Sequence, residues 1–280
     1  MARKSERDTS SGKGSPQNTE SYRSFIGPAD KYDLFSALQF NLLTFLGLRG
    51  NHFLLDIGCG SLRGGKLFIP YLAPGHYFGV EPQRWLVQKG IEKELGSDII
   101  RLKKPEFLHD DNFTLRHFNR KFDFLLAQSV FSHASQAQIA SCLSEAKEVM
   151  KADTIFAATF AKGDENYSGD KWTIWATYRL DHMEELVKEA GLLCKSIPWP
   201  HPDMQQWILI FRPEAESRVS KLTNVSQLPD CRMQLEFCEE RLSKIENHPA
   251  VQMVLRVNRA WKLLGFFLNR IVSLTPGKGR

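Results

Sequence analysis

Apolar positions along the chain follow two alternating periods. From about Asp30, Leu34, Phe35, Leu38, Leu42, Leu43, Phe45 and Leu46 recur at helical spacing, which predicts a helix over residues 31–48 ended by Gly47 or Gly50. The run from His52 to Ile57 then meets a glycine turn, the pattern of a short strand buried on both faces. The alternation continues with a helix over 62–72, a strand over 77–80, a helix over 83–95, strands over 106–109 and 122–127, a helix over 136–150 and a strand over 154–160. Strands alternating with helices predict a three-layer α/β sheet with right-handed crossovers.

A helix over 181–190, closed by Gly191, leads to strands near 192–197 and 206–211. The link between these two is too short for a parallel crossover, so the pair is expected to be antiparallel. The α/β pattern stops at Pro213, and 214–226 reads as a linker. Leu228, Cys231, Leu235, Cys238, Leu242 and Ile245 then step alternately by three and four, a short heptad seam that suits a coiled coil or a helix docked on the domain. A last helix, about 250–273, separates apolar from basic side chains. Such a helix lies on an anionic membrane surface or buries its apolar face against the domain or a second copy. Residues 1–28 carry too few apolar side chains to offset the entropy of ordering and read as a disordered tail. The expected organisation is a tail (1–28), an α/β domain (29–213), a linker (214–226) and a helical extension (227–280), with peripheral membrane contact or self-association assigned to 227–273.

Composition narrows the class. A hydrophobic content of 42% in 280 residues is enough to bury a core. The net charge of +5 is modest but uneven: Arg256, Arg259, Lys262, Arg270, Lys278 and Arg280 follow His248 with no acidic residue among them, so an anionic partner would meet that end. Five cysteines without a CxxC pair or Cys/His ligand spacing speak against a disulfide framework or a zinc site, no metal ligand set is read, and a reducing cytoplasm fits. No uncharged apolar run approaches the roughly 18 residues of a membrane span.

The chemistry concentrates at the end of the first strand, Leu54-Leu55-Asp56-Ile57-Gly58-Cys59-Gly60. Ligands of open α/β sheets bind at the carboxyl ends of the strands. Gly58 and Gly60 let the backbone turn where a Cβ would collide with a ligand, and the next helix aims its N-terminal amides at the site. A dinucleotide fingerprint would place a glycine three after Gly60, but Arg63 stands there and Gly64 comes one residue late. Asp56 beside the turn would repel a pyrophosphate and suits the ammonium group of a methionyl moiety. Glu81, 21 positions after Gly60, closes the second strand where a carboxylate accepts from ribose hydroxyls.

LLDIGCG (54–60), YFGVEP (77–82), FDFLLAQSVFSHAS (122–135) and the terminal hairpin together resemble the class I S-adenosylmethionine-dependent methyltransferases, over roughly Asp30 to Pro213. The resemblance implies a Rossmann-like methyltransferase sheet, mostly parallel with an antiparallel terminal hairpin, plus a C-terminal helical extension, and S-adenosylmethionine as cofactor. It implies cofactor contacts from Asp56, Gly58, Cys59, Gly60, Glu81, Gln128 and Ser129. Where many members have a third glycine this chain has Leu62, and Arg63 is read as meeting the methionine carboxylate or capping the loop. The same resemblance puts adenine contacts after the third strand, at Asp110, Asp111 or Asn112, whose other reading is a solvated turn.

Methyl transfer from a sulfonium is an in-line displacement in which the protein chiefly aligns and desolvates the reactants, and a general base is needed only for a nucleophile that carries a proton. His133, past the fourth strand, and His201, between Pro200 and Pro202, are the base candidates. Ser135 and Gln138 also form a capping box beside His133, a local structural use of the same segment. Asp181 and Glu184 read as a helix cap, and Cys59 as packing. Tyr167, Trp172, Trp175 and Tyr178 form a lid or acceptor face, or local core. The turn Gln128-Ser129-Val130-Phe131 lacks the (Asp/Asn)-Pro-Pro-aromatic pattern of nucleobase amino methylases, so no nucleic-acid partner is expected and O-methylation of a small-molecule, lipid or glycan acceptor is favoured. A non-catalytic scaffold and an NAD(P)-dependent oxidoreductase are the competing classes.

Overall fold

The structure is a computed structural model that describes residues 21–223. The chain divides into two units, Met1–Leu222 and Thr223–Arg280. The heptad and basic helices expected within 227–273 lie outside the described residues.

Short apolar runs become strands because both of their faces are covered. β1 (Leu54–Ile57) and β2 (Tyr77–Val80) are buried at every position. With β3 (Glu106–Leu108), β4 (Phe122–Ala127) and β5 (Met150–Lys162) they form a parallel sheet in the order β3-β2-β1-β4-β5. A two-residue strand, β6 (Thr177–Tyr178), pairs with the far end of β5. β7 (Leu193–Ile197) and β8 (Gln206–Phe211) complete the sheet, β8 antiparallel to both β5 and β7. The hairpin expected from the short link is therefore present, and β5 is longer at both ends than the apolar run alone indicates.

The period of two sorts the strand residues onto two cores. Leu55, Ile57, Phe78, Leu125 and Phe156 face one layer with α6 (Gln136–Val149) and α7 (Leu180–Glu189). Leu54, Tyr77, Phe124, Leu126 and Trp207 face the other, with α2 (Tyr32–Phe45) and α3 (Gly65–Tyr71). Asp56 belongs to this second face, where a carboxylate enters an otherwise apolar layer.

Several boundaries differ from the sequence pattern. The segment read as tail to residue 28 is structured from Ser21: α1 (Ser21–Phe25) buries Tyr22, whose hydroxyl donates to Glu94 at 2.7 Å, while Arg23 forms an ion pair with Glu94 at 2.7 Å. Two polar anchors, rather than an apolar stripe, hold this piece. α2 buries Phe35, Leu42 and Leu43 of the expected stripe, widens it with Tyr32, Ser36 and Gln39, and leaves Leu34 exposed. α3 starts at Gly65 instead of 62 because Leu62 has φ 60 and keeps 61–64 as a turn. The helix expected over 83–95 is α4 (Arg84–Gly90) continuing into a π-helical turn at Ile91–Leu95, and an unexpected α5 (Ser97–Lys103) follows Gly96. The stretch read as linker from 214 folds as a 3-10 turn (Pro213–Ala215) and α8 (Glu216–Leu222), which bury Ala215 and Val219 in the second core. Asp181 does not cap α7; the N-cap is Arg179, with which Asp181 pairs, and the capping box of Ser135 and Gln138 is formed. No helix among the described residues is long and apolar enough to cross a membrane.

Candidate functional site

Order reverses between β1 and β4, the position at which open α/β sheets bind their ligands, and the glycine turn sits at the carboxyl end of β1 there. Gly58 and Gly60 have φ +71 and +55, and a Cβ on Gly58 would lie 2.6 Å from Val130 Cγ2. The turn is stitched to β2: Gly58 and Cys59 N–H both donate to the Val80 carbonyl, at 2.8 and 3.0 Å. Gly60 N–H donates to Glu81 Oε2 at 3.1 Å, and Glu81 Oε1 accepts from Gln83 N–H at 2.9 Å. Burial raises the Glu81 pKa against these two amides, which favour the ionised form. Cys59 is buried with its thiol pushed well up by desolvation, so it packs and does not react.

Asp56 is buried and accepts from the Tyr77 hydroxyl at 2.7 Å. Desolvation raises its pKa to about 7, and among the ion pairs of the described residues none includes it. Arg63 is its counterpart. Only 6% exposed, its guanidinium lies over the Phe35 ring at 4.2 Å and donates to two neutral acceptors, Ile26 O at 3.1 Å and Gln128 Oε1 at 2.5 Å. Burial lowers its pKa to about 10, and no carboxylate of the described residues forms an ion pair with it. Asp56 and Arg63 are close enough for each to shift the other's titration. The turn is thus flanked by a buried acid and a buried base, each lacking a full counter-ion.

Gln128 and Ser129 extend this pair into a polar chain. Gln128 Nε2 donates to Ser129 Oγ at 2.6 Å and lies 2.9 Å from His201 Nε2. Ser129 N–H, at φ 59, donates to Thr159 Oγ1 at 2.7 Å, and Gln205 closes the ring, accepting from Thr159 at 2.7 Å and donating to Ser129 at 3.0 Å. His201 sits edge-on to Phe35, and burial pulls its pKa down to about 4, so the imidazole is neutral. Its place is set by the tight link between β7 and β8, where Asp203 and Gln205 N–H point at Nδ1 from 3.3 Å each.

Asp110 and Asp111 each engage one carboxylate oxygen within their own turn: Asp110 Oδ2 accepts from Asn112 and Thr114 N–H, and Asp111 Oδ1 accepts from Asn112 Nδ2. From that loop it is His109 that touches the site, through Nδ1 at 2.8 Å from the Glu81 carbonyl. The hydrogen bonds of the polar chain do not reach His133. Its Nδ1 lies 3.1 Å from the Thr173 carbonyl and therefore carries the proton, which leaves Nε2 as the ring's acceptor. The ring stacks on Trp172 and meets Trp175 edge-on, and both tryptophans are about half exposed beside a fully exposed Ile174. Tyr178 instead is core, its hydroxyl bound to the Ala134 carbonyl. Sequence reasoning passed over Ile26, Phe35, Thr159 and Gln205, none of which carries a local motif. Tyr77 was legible in principle, since it lies on the same strand face as Gly79, opposite Asp56 in register. Among the described residues no group of three or more His, Cys, Asp or Glu side chains could hold a metal ion.

Comparison with solved structures places this architecture. DesVI from Streptomyces venezuelae superposes with a TM-score of 0.51 at 12% identity, over 67% of this chain and 94% of that one. A putative O-methyltransferase from Nostoc punctiforme PCC 73102 gives 0.50 at 13% identity, over 66% of this chain and 58% of that one. TnmH gives 0.50 at 14%, over 67% and 57%. With the observed strand order these likenesses show a class I methyltransferase fold. No protein-family model and no curated protein matches the chain by sequence.

Proposed function

We propose that this chain is an S-adenosylmethionine-dependent methyltransferase acting on a hydroxyl of a small-molecule, lipid or glycan acceptor. The observation that carries the reading is the pair Asp56 and Arg63. Two buried groups of opposite charge, each without a full counter-ion, flank the glycine turn. A free α-amino acid end, with its ammonium and carboxylate, complements such a pair, and a pyrophosphate does not, because Asp56 would repel it. Glu81, already accepting from Gly60, supplies the acceptor for ribose hydroxyls.

When bound, the cofactor supplies a methyl group on a sulfonium, which leaves as a neutral thioether. The residues of this chain hold and orient. Asp56 receives the ammonium, Arg63 and Gln128 receive the carboxylate, and the Gly58–Gly60 turn admits the ligand backbone-close. His133 is the residue suited to take the hydroxyl proton, because Thr173 fixes its tautomer with Nε2 as acceptor. Trp172 and Trp175 offer the acceptor an apolar face beside that nitrogen. His201, neutral and enclosed, orients instead of accepting the proton. Labelled methyl transfer into separated lipid, glycan and small-molecule fractions tests the reading. Transfer that His133→Gln slows about 100-fold, with S-adenosylhomocysteine affinity unchanged, is the expected result. No transfer into any fraction, with the cofactor bound, would favour the scaffold reading.

A further inference from the structure

Besides a long contact of its oxygen with Gln39 Nε2 at 3.5 Å, the carboxamide of Gln128 is contested at its two ends by neighbours with the same demand. Arg63 presents only N–H groups and takes the oxygen at 2.5 Å. His201 faces the other end, Nε2 against Nε2 at 2.9 Å, while two backbone amides point at its Nδ1. A neutral imidazole has one N–H and one lone pair. With the lone pair on Nδ1, where the two backbone donors want it, Nε2–H meets the Gln128 NH2 group donor to donor. With the proton on Nδ1, Nε2 is satisfied and the two backbone amides are not. Turning the carboxamide over satisfies His201 and sets the NH2 group against the Arg63 guanidinium. Every assignment sets one donor against another, and the backbone side of the conflict lies in the short link from β7 to β8 that carries His201, Asp203 and Gln205.

One change removes the conflict. An anion that takes over Arg63 frees the Gln128 oxygen, and the turned NH2 group then donates to the same anion. We propose that Gln128 is a two-position amide that couples a carboxylate at Arg63 to the His201 imidazole. In the occupied state Arg63 and Gln128 Nε2 hold the carboxylate, Gln128 Oε1 accepts from His201 Nε2–H, and Nδ1 accepts from the backbone. Ser129 Oγ loses its donor from Gln128, keeps Gln205 Nε2 as donor, and turns its own O–H toward the Gln128 oxygen that now faces it. His201 and Gln128 are positioning residues in this scheme. They register carboxylate occupancy and pass it to Ser129, on the turn that leads to His133. The cofactor reading enters only in assigning the carboxylate to the methionyl end; a carboxylate on the acceptor has the same chemistry.

Ring-nitrogen NMR of the full chain, with titrations of S-adenosylhomocysteine, of 5′-methylthioadenosine, which lacks the amino-acid end, and of acetate, tests the coupling. S-Adenosylhomocysteine should move the His201 Nε2–H resonance downfield and 5′-methylthioadenosine should not. His201→Leu should weaken S-adenosylhomocysteine about tenfold and 5′-methylthioadenosine less than twofold, since the bond from His201 Nε2–H to Gln128 Oε1, with Nδ1 still accepting from the backbone, forms only in the carboxylate-bound state. His201→Gln should restore the affinity, because its Nε2 can donate where the imidazole Nε2 did. If S-adenosylhomocysteine leaves the resonance unmoved but acetate moves it in the wild type and not in Arg63→Met, the carboxylate belongs to the acceptor and the coupling stands. Equal responses to both nucleosides, or no response to any carboxylate, overturn it. Failure of S-adenosylhomocysteine to bind at all overturns the cofactor reading instead, and the acetate comparison then decides the coupling by itself.

Discussion

Asp56 gives a pH dependence that can be worked from the structure. Burial raises its carboxyl to about 7 in the ligand-free fold, against an ordinary value near 3.8. Cofactor binding requires the ionised form if Asp56 receives an ammonium, so binding must expel a proton wherever the ligand-free carboxyl is protonated. At about pH 5.5 only about one molecule in 33 is ionised, and at about pH 7.5 about three in four, so affinity should rise about 25-fold between them. The assay is calorimetric titration with S-adenosylhomocysteine at both pH values, in buffers of different ionisation enthalpy, which counts the released proton directly. Asp56→Asn should bind about 10- to 100-fold more weakly at the higher pH and lose the slope, which separates Asp56 from Glu81, also shifted upward by burial. The stability sign is opposite. A raised acid stabilises the fold most below its unfolded pKa, and that contribution is lost as pH rises through about 7, so ligand-free Asp56→Asn should be more stable than wild type near pH 7.5, by up to about 4 kcal/mol. A wild-type affinity that changes less than threefold across the range, or an Asp56→Asn variant that keeps the slope, would refute this reasoning.

Three further outcomes follow. Glu81→Gln should weaken both S-adenosylhomocysteine and 5′-methylthioadenosine about 10- to 100-fold, because the charged acceptor of ribose hydroxyls is lost whichever tail the nucleoside carries; titration of both ligands checks this. Gly90→Ala would set a Cβ 2.3 Å from the Ser61 carbonyl oxygen and should cost about 3 kcal/mol or more in urea unfolding, whereas Gly75→Ala, with φ +75 and open space around it, should cost only about 1 kcal/mol. His201, depressed from 6.5 to about 4, contributes stability that is complete above about pH 6.5 and lost as pH falls toward 4, at most about 3 kcal/mol. His201→Gln should flatten that part of an acid-unfolding profile, and an unchanged profile would count against a neutral, half-buried imidazole.

How much of this was readable from residue order depends on how local each feature is. β1, β2, β4 and β8 follow from runs of apolar residues whose faces are both covered, and the antiparallel hairpin follows from a link too short to cross over. The capping box at Ser135 is likewise local chemistry. α5 escaped because seven residues after Gly96 give too little periodicity to stand out. Residues 21–28 escaped because Tyr22 and Arg23 are held by Glu94, about 70 positions away, and not by an apolar face of their own. The site divides in the same way. Asp56, the glycines and Glu81 lie on one β-α-β unit and were legible together. Arg63 and Gln128 were singled out without their partners, since Ile26, Phe35, Gln205 and His201 reach them from other elements. Asp110 and Asp111 were named from the family resemblance as adenine contacts, and the hydrogen bonds around them show the turn that was their other reading.

The central claim is that the crevice beside Gly58 and Gly60 recognises a nucleoside joined to an amino-acid end. Parallel calorimetric titrations of the full chain with S-adenosylhomocysteine and with NAD+ test it most directly. Saturable binding of S-adenosylhomocysteine that Asp56→Asn weakens, with no heat from NAD+ at the same concentrations, is the predicted result; binding of NAD+ in its place, or of neither, would contradict it.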